Sequence, residues 1–379
     1  MNNLVYIAAA GSGKTTTLVR KACALQPSEY VLILTYTDSN EKEIRNKFYQ
    51  EKGYIPQNVC IQSWFSFLLQ HLIKPYQNYI TDDVFEIKGI AMVHKENNGS
   101  KKNYRIPKSN WTHYYFSKQQ KALTEKLSEL AYDCNEKANG KAIQRLCDIF
   151  DNIYIDEVQD LAGYDLELIK LFFLSKSNVI IAGDPRQTIY LTNHNGNKNK
   201  SYRNGKILTY LSSHKELNNK YQVDTTTLNS SRRCCPEICE YASIITPAFN
   251  RTVSQTNYQD KFCGVYLVSE GDKSQFLNQY NDSVQLRHSI TTKNIDPNYA
   301  VMNFGESKGM TFDSVLIYPT QPMIKWIENH NEQMEETSIN KFYVAVTRAR
   351  YLVGIVWPKA GCSASDIGFW CPSIQNNPL

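Results

Sequence analysis

The sequence predicts an α/β fold in which parallel β-sheets are flanked by helices, arranged in two similar halves. Three observations lead to this prediction. A glycine-rich segment stands between an apolar run, Leu4 to Ile7, and a helical stretch that begins near Thr15. Several further apolar runs end in polar, chemically capable residues, which is typical of strands whose carboxyl ends carry a site in an open parallel sheet. A helical segment with cap residues at both ends lies between two of these runs.

The elements follow in chain order from these patterns. Leu4 to Ile7 forms the first predicted strand, and the helix Glu41 to Glu51 can be capped by Ser39 or Asn40 and ended by Gly53. The later predicted strands are Val31 to Leu34, Ile153 to Ile155, Val179 to Ala182, Val315 to Tyr318 and Leu352 to Val356. The polar, Asn- and Lys-rich stretch Asn193 to Asn219 is the predicted connection between the two halves.

Composition places the chain among ordinary globular proteins. Its 379 residues allow two or three domains, and a net charge of +5 permits a polyanionic partner without requiring one. The ten cysteines form no C-x-x-C pair with a matching second pair, which favours reduced cytoplasmic thiols over structural zinc or a disulfide framework. The first apolar run is short and lacks a basic lead, so we expect a strand there and not a signal peptide. No stretch is long enough to span a membrane, and we therefore expect a cytoplasmic protein.

The segment AAAGSGKTT, residues 8–16, predicts a phosphate-binding loop. Small residues let the backbone N–H groups curl around phosphates at a helix N-terminus. Lys14 can then reach the β- and γ-phosphates of a nucleoside triphosphate such as ATP, and the Thr15 hydroxyl can ligate Mg²⁺. Ala8 replaces the usual opening glycine of this motif. The predicted nucleotide-binding residues are Gly11, Ser12, Gly13, Lys14, Thr15 and Thr16.

Two acids directly follow the predicted strand Ile153 to Ile155. Asp156 can hold Mg²⁺, and Glu157 can orient and deprotonate an attacking water. A solvated acidic loop is the alternative interpretation. Gln187 follows the next strand, where it can contact a γ-phosphate.

Taken together, these segments resemble the motifs of UvrD/Rep-type superfamily 1 helicases, in family order from Ala8 to Arg350. The segments that resemble motifs I, Ia, Ib, II, III, IV, V and VI are AAAGSGKTT, LTYTDSNEKEI, QSWFSFL, DEVQD, GDPRQTIY, SSRRCC, ESKGMTF and YVAVTRAR. The resemblance implies two RecA-like lobes, ATP clamped between them, and single-stranded DNA running across their tops. It also implies that Arg233 of motif IV and Arg348 of motif VI act as arginine fingers on the γ-phosphate. Outside this motif context, either arginine would more often be a surface salt-bridge partner.

The same resemblance implies a set of DNA contacts. Aromatic rings would stack on bases and small polar groups would contact phosphates. Each of these aromatic residues could equally belong to the protein core. The matching positions are Thr35, Tyr36, Ser63, Trp64 and Tyr190.

The resemblance also divides the chain into domains. The first RecA-like lobe, with the ATP site, is expected at 1–75 and 150–192, and a mainly helical insertion at 76–149. A polar connection at 193–222 precedes the second lobe at 223–379. About 75 residues separate Arg233 from Lys308, which is too short for the large 2B domain of processive members.

The expected insertion contains a stretch, Lys95 to Lys121, in which basic and aromatic residues alternate. Such interleaving suits single-stranded nucleic acid through phosphate neutralisation and stacking. A small helical domain with an aromatic core and solvated lysines is an equal alternative. The residues concerned are Lys101, Lys102, Tyr104, Arg105, Lys108, Trp111, Tyr114, Tyr115, Phe116, Lys118 and Lys121.

These features predict a compact ATPase that uses ATP and Mg²⁺ and moves along single-stranded DNA with limited strand separation. Its compactness and the Arg-Cys-Cys of motif IV resemble the helicase-like subunit of the Gabija anti-phage system, which implies a nuclease partner and a role in bacterial defence. The alternative is a nucleotide-gated module that binds DNA ends or a partner and uses its ATP site as a switch. The presence of Glu157, Gln187 and both arginines favours the motor.

Overall fold

The computed structural model describes residues 3–80, 85–91, 106–192, 197–258, 261–358 and 367–372. The chain divides into two compact units. The first comprises the chain up to Val5, Thr15–Gly183 and Leu191–Val223, and the second comprises Tyr6–Lys14, Asp184–Tyr190 and Asp224–Leu379. The domain limits expected from the sequence remain a prediction. Four members of the basic and aromatic stretch lie outside the described residues, namely Lys101, Lys102, Tyr104 and Arg105.

The helices and strands alternate along much of the chain. The strands are β1 (Asn3–Ile7), β2 (Val31–Thr35), β3 (Val59–Ser63), β4 (Ile90–Ala91), β5 (Ala122–Leu123), β6 (Asn152–Ile155), β7 (Asn178–Gly183), β8 (Tyr221–Asp224), β9 (Ser230–Ser231), β10 (Val253–Ser254), β11 (Gly264–Ser269), β12 (Val284–Arg287), β13 (Val301–Asn303), β14 (Phe312–Ile317) and β15 (Ala349–Trp357). The helices are α1 (Lys14–Cys23), α2 (Asp38–Lys52), α3 (Trp64–Phe67), α4 (Trp111–Tyr115), α5 (Leu127–Lys137), α6 (Lys141–Ile149), α7 (Tyr164–Leu174), α8 (Ile207–Ser212), α9 (Pro236–Ile245), α10 (Lys273–Gln279), α11 (Gln321–Glu328) and α12 (Glu336–Val346).

A six-stranded sheet has the order β3-β2-β6-β7-β1-β8. Its pairs β2–β3, β2–β6 and β6–β7 are parallel. Every residue of β2 is buried, as expected for a strand covered by helices on both faces. The strands predicted from apolar runs are therefore confirmed here.

Helix α2 confirms the predicted helix but corrects its N-cap. The cap is Thr37, whose hydroxyl accepts a hydrogen bond from Asn40 N at 3.1 Å, while Ser39 and Asn40 lie inside the first turn. A threonine oxygen at this position satisfies one of the N–H groups that the first turn leaves unpaired. Gly53 ends the helix in the left-handed region, at φ 80°, as predicted.

A second sheet, of five strands, has the order β11-β15-β14-β12-β13, and its pairs are all parallel. Its core includes Ile238 and Tyr241 from α9, Phe342 from α12, and Val353 and Trp357 from β15. The two parallel sheets flanked by helices confirm the predicted fold class. No helix within the described ranges combines the length and apolar character that a membrane span requires.

Several basic and aromatic residues of the expected insertion contact other residues of the insertion. Phe85 packs against Trp111 and Phe116, with ring centroids 5.1 and 4.6 Å away. Lys108 Nζ lies 3.2 Å from a carboxylate oxygen of Glu129 and 2.6 Å from one of Asp133. For these residues the structure favours the alternative of a small helical domain over a nucleic-acid surface.

Candidate nucleotide site

The predicted phosphate loop runs from the end of β1 to the start of α1. Gly11 and Gly13 have φ values of 72° and 84°, in the left-handed region where glycine carries no steric cost. Ser12 N donates to Ala9 O at 3.2 Å, which closes a tight turn. The Ser12 hydroxyl is buried without a hydrogen-bond partner among the described residues, so a donor there can serve a ligand. Lys14 is buried, and Thr15 and Thr16 are half-buried in the first turn of α1.

Thr15 and Asp156 meet directly within the first unit. Thr15 Oγ1 donates to Asp156 Oδ2 at 2.6 Å, although the two residues are 141 positions apart. Asp156 is buried at the carboxyl end of β6. A hydroxyl beside a carboxylate offers the hard oxygen ligands that Mg²⁺ prefers. The residue types and their contact therefore fit the predicted metal site.

Glu157 adopts an unusual backbone conformation, with φ 58° and ψ 38° in the left-handed region. Its backbone N–H donates to Asp156 Oδ1 at 3.0 Å, which fixes the turn that follows β6. Its carboxylate accepts a hydrogen bond from Gln159 Nε2. Gln159 is buried, and a Cβ on Gly183 would lie only 2.5 Å from Gln159 Oε1. Sequence reasoning did not single out Gln159, although it lies within the DEVQD segment.

Gln187 and Arg348, two predicted catalytic residues of the second unit, contact each other. Arg348 Nη2 donates to Gln187 Oε1 at 3.1 Å. The Arg348 guanidinium is only 1% exposed and also donates to the carbonyls of Val344 and Met310. Gln187 Nε2 in turn donates to Asp184 Oδ2 at 2.8 Å. Arg348 is therefore a buried, oriented group and not a surface salt-bridge partner.

A buried network links the phosphate loop to Asp184 and Tyr343. Ala10 N donates to the Tyr343 hydroxyl, which donates to Asp184 Oδ2, both at 3.2 Å. Arg186 donates to Asp184 Oδ1 and to Ala8 O, each at 2.7 Å. Burial raises the pKa of Tyr343 above its usual range, so the phenol stays neutral. Sequence reasoning missed this network, although its residues stand inside predicted motifs.

Arg233 lies close to the phosphate loop through its backbone. Arg233 N donates to Ser231 Oγ at 3.3 Å, and a Cβ on Gly11 would lie 2.7 Å from Arg233 Cβ. The Arg233 side chain turns toward Thr347, donating from Nη1 to its carbonyl at 3.3 Å. Both predicted arginine fingers thus converge on the residues at the end of α12.

Three predicted DNA contacts lie at the carboxyl ends of β2 and β3 and at the start of α3. Trp64 is 1% exposed, and its Nε1 donates to Asp165 Oδ1 at 2.7 Å. The Trp64 ring therefore lies in the core and has no exposed face for a base. This agrees with the alternative interpretation, in which the residue is part of the protein core. Thr35 is buried, and its hydroxyl has no partner among the described residues. The Ser63 hydroxyl donates to Ser66 Oγ at 3.0 Å.

The two predicted stacking tyrosines differ in exposure. Tyr36 is half-buried with its ring edge against Phe65, and burial, followed by the charge of Asp160, raises its pKa to about 12. Tyr190 is 45% exposed. A Cβ on Gly305 would lie 2.2 Å from the Tyr190 hydroxyl, so a larger residue at position 305 would require this ring to move. Of the two predicted stacking tyrosines, Tyr190 is therefore the more accessible to solvent.

Two family models match most of the chain. One, described as an AAA domain, matches residues 1–193, and the other, a viral superfamily 1 RNA helicase core domain, matches residues 120–356. Gabija protein GajB of Bacillus cereus (strain VD045) is 26% identical over 278 residues, covering 67% of this chain and 49% of that protein. The chain thus spans about half the length of this curated relative. A solved complex of arterivirus nonstructural protein 10, a helicase, with DNA matches with a TM-score of 0.46 and 14% identity, covering 94% of this chain and 60% of that one.

Proposed function

The chain belongs to the UvrD-like superfamily 1 helicases, and from this premise we propose that it is an ATP-dependent translocase on single-stranded DNA. One observation carries the proposal above the others. The loop threonine and the strand-end aspartate, Thr15 and Asp156, are brought into hydrogen-bonding contact at 2.6 Å across 141 residues of sequence. This contact joins the two motifs that bind and hydrolyse a nucleoside triphosphate in phosphate-loop enzymes.

The proposed chemistry assigns a separate task to each group. The loop N–H groups and Lys14 bind the phosphates, and Thr15 with Asp156 would hold Mg²⁺. When bound there, Mg²⁺ would neutralise part of the phosphate charge. Glu157 takes a proton from the attacking water, and Gln159 orients its carboxylate.

Gln187 and Arg348 form a second working pair. The hydrogen bond between them holds the guanidinium in one orientation before any nucleotide arrives. A preorganised positive group stabilises the charge that develops on the transferring phosphoryl oxygens and needs little reorganisation to do so. Because Gln187 also bonds Asp184, a change at the γ-phosphate would be transmitted to the buried network that holds the phosphate loop.

The nucleic-acid part of the proposal rests on exposed groups. Tyr190 offers an aromatic face for stacking, and Lys118 and Lys121 are exposed basic residues. The likeness to Gabija protein GajB supports a role in bacterial anti-phage defence, with a nuclease subunit as the proposed partner. The proposed setting is the bacterial cytoplasm.

Two variants separate nucleotide binding from turnover. Lys14→Ala removes the phosphate-binding amine, so ATP affinity should fall. Glu157→Gln keeps the shape but removes the base, so binding should persist while turnover falls by about 100-fold or more. Binding is measured with a fluorescent ATP analogue and turnover by phosphate release, with single-stranded DNA present.

Glu136→Gln is the matched control, because Glu136 is exposed on α5. Wild-type turnover in the Glu157→Gln variant would remove the assignment of the general base. Intact ATP binding by the wild-type chain without turnover would favour the nucleotide-gated switch over the motor.

A further inference from the structure

Arg232 places an exposed guanidinium over the phosphate loop. A Cβ built on Gly13 would have Arg232 Nη1, Cζ and Nε as its nearest neighbours, at 3.3, 3.6 and 4.0 Å. Arg232 N donates to Gly11 O at 2.9 Å, which anchors the residue to the same loop. Gly11, Gly13 and Arg232 all belong to the second unit. The guanidinium of Arg232 thus lies beside Gly13, whereas Arg233 approaches Gly11 with its Cβ.

The position of this guanidinium is fixed by a small sheet. Strands β9 and β10 pair in parallel, with Val253 opposite Ser230 and Ser254 opposite Ser231. The residues that follow these strands, Arg232 and Gln255, therefore lie side by side. Gln255 N donates to Ser231 O at 2.7 Å, and Arg232 Nε donates to Gln255 Oε1 at 3.2 Å. Gln255 uses one of the guanidinium donors and leaves the Nη groups available.

The charge around the Arg232 guanidinium favours the binding of an anion. Among the described residues no carboxylate forms an ion pair with Arg232, whereas other surface arginines such as Arg251 and Arg350 are each paired with an acid. The loop residue beneath this guanidinium is Gly13, which carries no side chain, so the approach of an anion to Arg232 is not blocked from the loop. A guanidinium binds two phosphate oxygens at once, which suits it to a polyphosphate.

We infer that Arg232 binds the β- and γ-phosphates of a nucleoside triphosphate held by the loop, and that Gln255 positions its guanidinium. The inference rests on the proposed function and deepens it by adding a phosphate ligand from the β9 segment. Opening of this segment would remove a phosphate contact, so nucleotide affinity depends on whether the β9 segment stays on the loop.

The test measures binding of a fluorescent ATP analogue and its displacement by inorganic tripolyphosphate, which has no base or sugar. Arg232→Ala should weaken both by about 10- to 100-fold, the range expected when a hydrogen-bonded charged pair is lost. Arg232→Lys should recover part of the affinity, because an ammonium keeps the charge but not the planar fork. Gln255→Ala should cause a smaller loss of the same kind.

Arg251→Ala is the matched control, since it also removes a guanidinium from the second unit and its side chain is 75% exposed. Thermal melting of each variant verifies folding. The inference is overturned if Arg232→Ala binds both probes like the control. It is equally overturned if only ATP binding weakens while tripolyphosphate is unaffected, since Arg232 would then contact the base.

Lys14→Ala distinguishes a failure of this inference from a failure of the proposed function. If Lys14→Ala abolishes binding while Arg232→Ala matches the control, the nucleotide site stands and the role of Arg232 falls. If the wild-type chain binds neither probe, the proposed function fails and the inference fails with it.

Discussion

Tyr343→Phe tests the buried network beneath the phosphate loop by removing a single oxygen. The hydroxyl accepts from Ala10 N and donates to Asp184 Oδ2, both at 3.2 Å, and Tyr343 is buried. Without it, the Ala10 N–H loses this acceptor inside the protein, and Asp184 loses one donor. A buried donor left without a partner costs about 1–3 kcal/mol. We therefore expect the free energy of unfolding to fall by about 1–3 kcal/mol.

The assay is urea denaturation followed by circular dichroism, with Tyr299→Phe as control. The Tyr299 hydroxyl donates to Asn278 Oδ1 at 2.6 Å in an exposed setting, where water can replace the bond. We expect the control to lose no more than about 0.5 kcal/mol. Equal stability of the two variants would refute the claim that the Tyr343 hydroxyl fixes the loop.

Three further predictions follow from other contacts. Asp165→Ala removes the carboxylate that accepts hydrogen bonds from several buried donors, so the free energy of unfolding should fall by about 3 kcal/mol or more. The control Asp148→Ala, at an exposed residue, should not lower it. Gln159→Leu removes the donor to the proposed general base and should slow ATP turnover about tenfold with unchanged ATP affinity; an unchanged rate would argue against a positioning role. Lys121→Ala should reduce by about 0.7 the slope of the logarithm of the single-strand binding constant against the logarithm of salt concentration. Lys108→Ala should leave this slope unchanged, because the Lys108 ammonium pairs with carboxylates of the insertion. Equal slopes in both variants would contradict this prediction.

Features that depend on local sequence could be predicted well. The phosphate loop is contiguous, and its glycines at residues 11 and 13 adopt the positive φ values that the motif requires. The acids Asp156 and Glu157 follow a fully buried strand, so their place at a strand end follows from the apolar pattern alone. The parallel order of the strands likewise follows from strands that alternate with helices.

Features that depend on distant partners could not be predicted. The Tyr343 hydroxyl meets Asp184 across 159 residues, and no periodicity or spacing relates the two. Trp64 shows the same limit, because its indole N–H donates a hydrogen bond to Asp165, 101 residues away. An aromatic residue after a strand has the same sequence signature whether it stacks on a base or fills the core. Only the tertiary packing decides between these roles.

Arg232 illustrates how two adjacent residues of one type can have different surroundings. The motif resemblance selects Arg233, whose guanidinium donates to the Thr347 carbonyl. Its neighbour points instead over Gly13. The directions of the two guanidinium groups depend on the backbone at the end of β9, which pairs with β10.

The most direct test of the central claim is the rate of ATP hydrolysis by the purified chain with and without single-stranded DNA, with strand displacement measured on the same preparation. We expect hydrolysis that single strands stimulate, that Glu157→Gln lowers by about 100-fold or more, and that produces little unwinding of a duplex by the chain alone. No detectable ATP hydrolysis, or a rate at saturating ATP that single-stranded DNA does not change, would contradict the assignment of a DNA-driven motor.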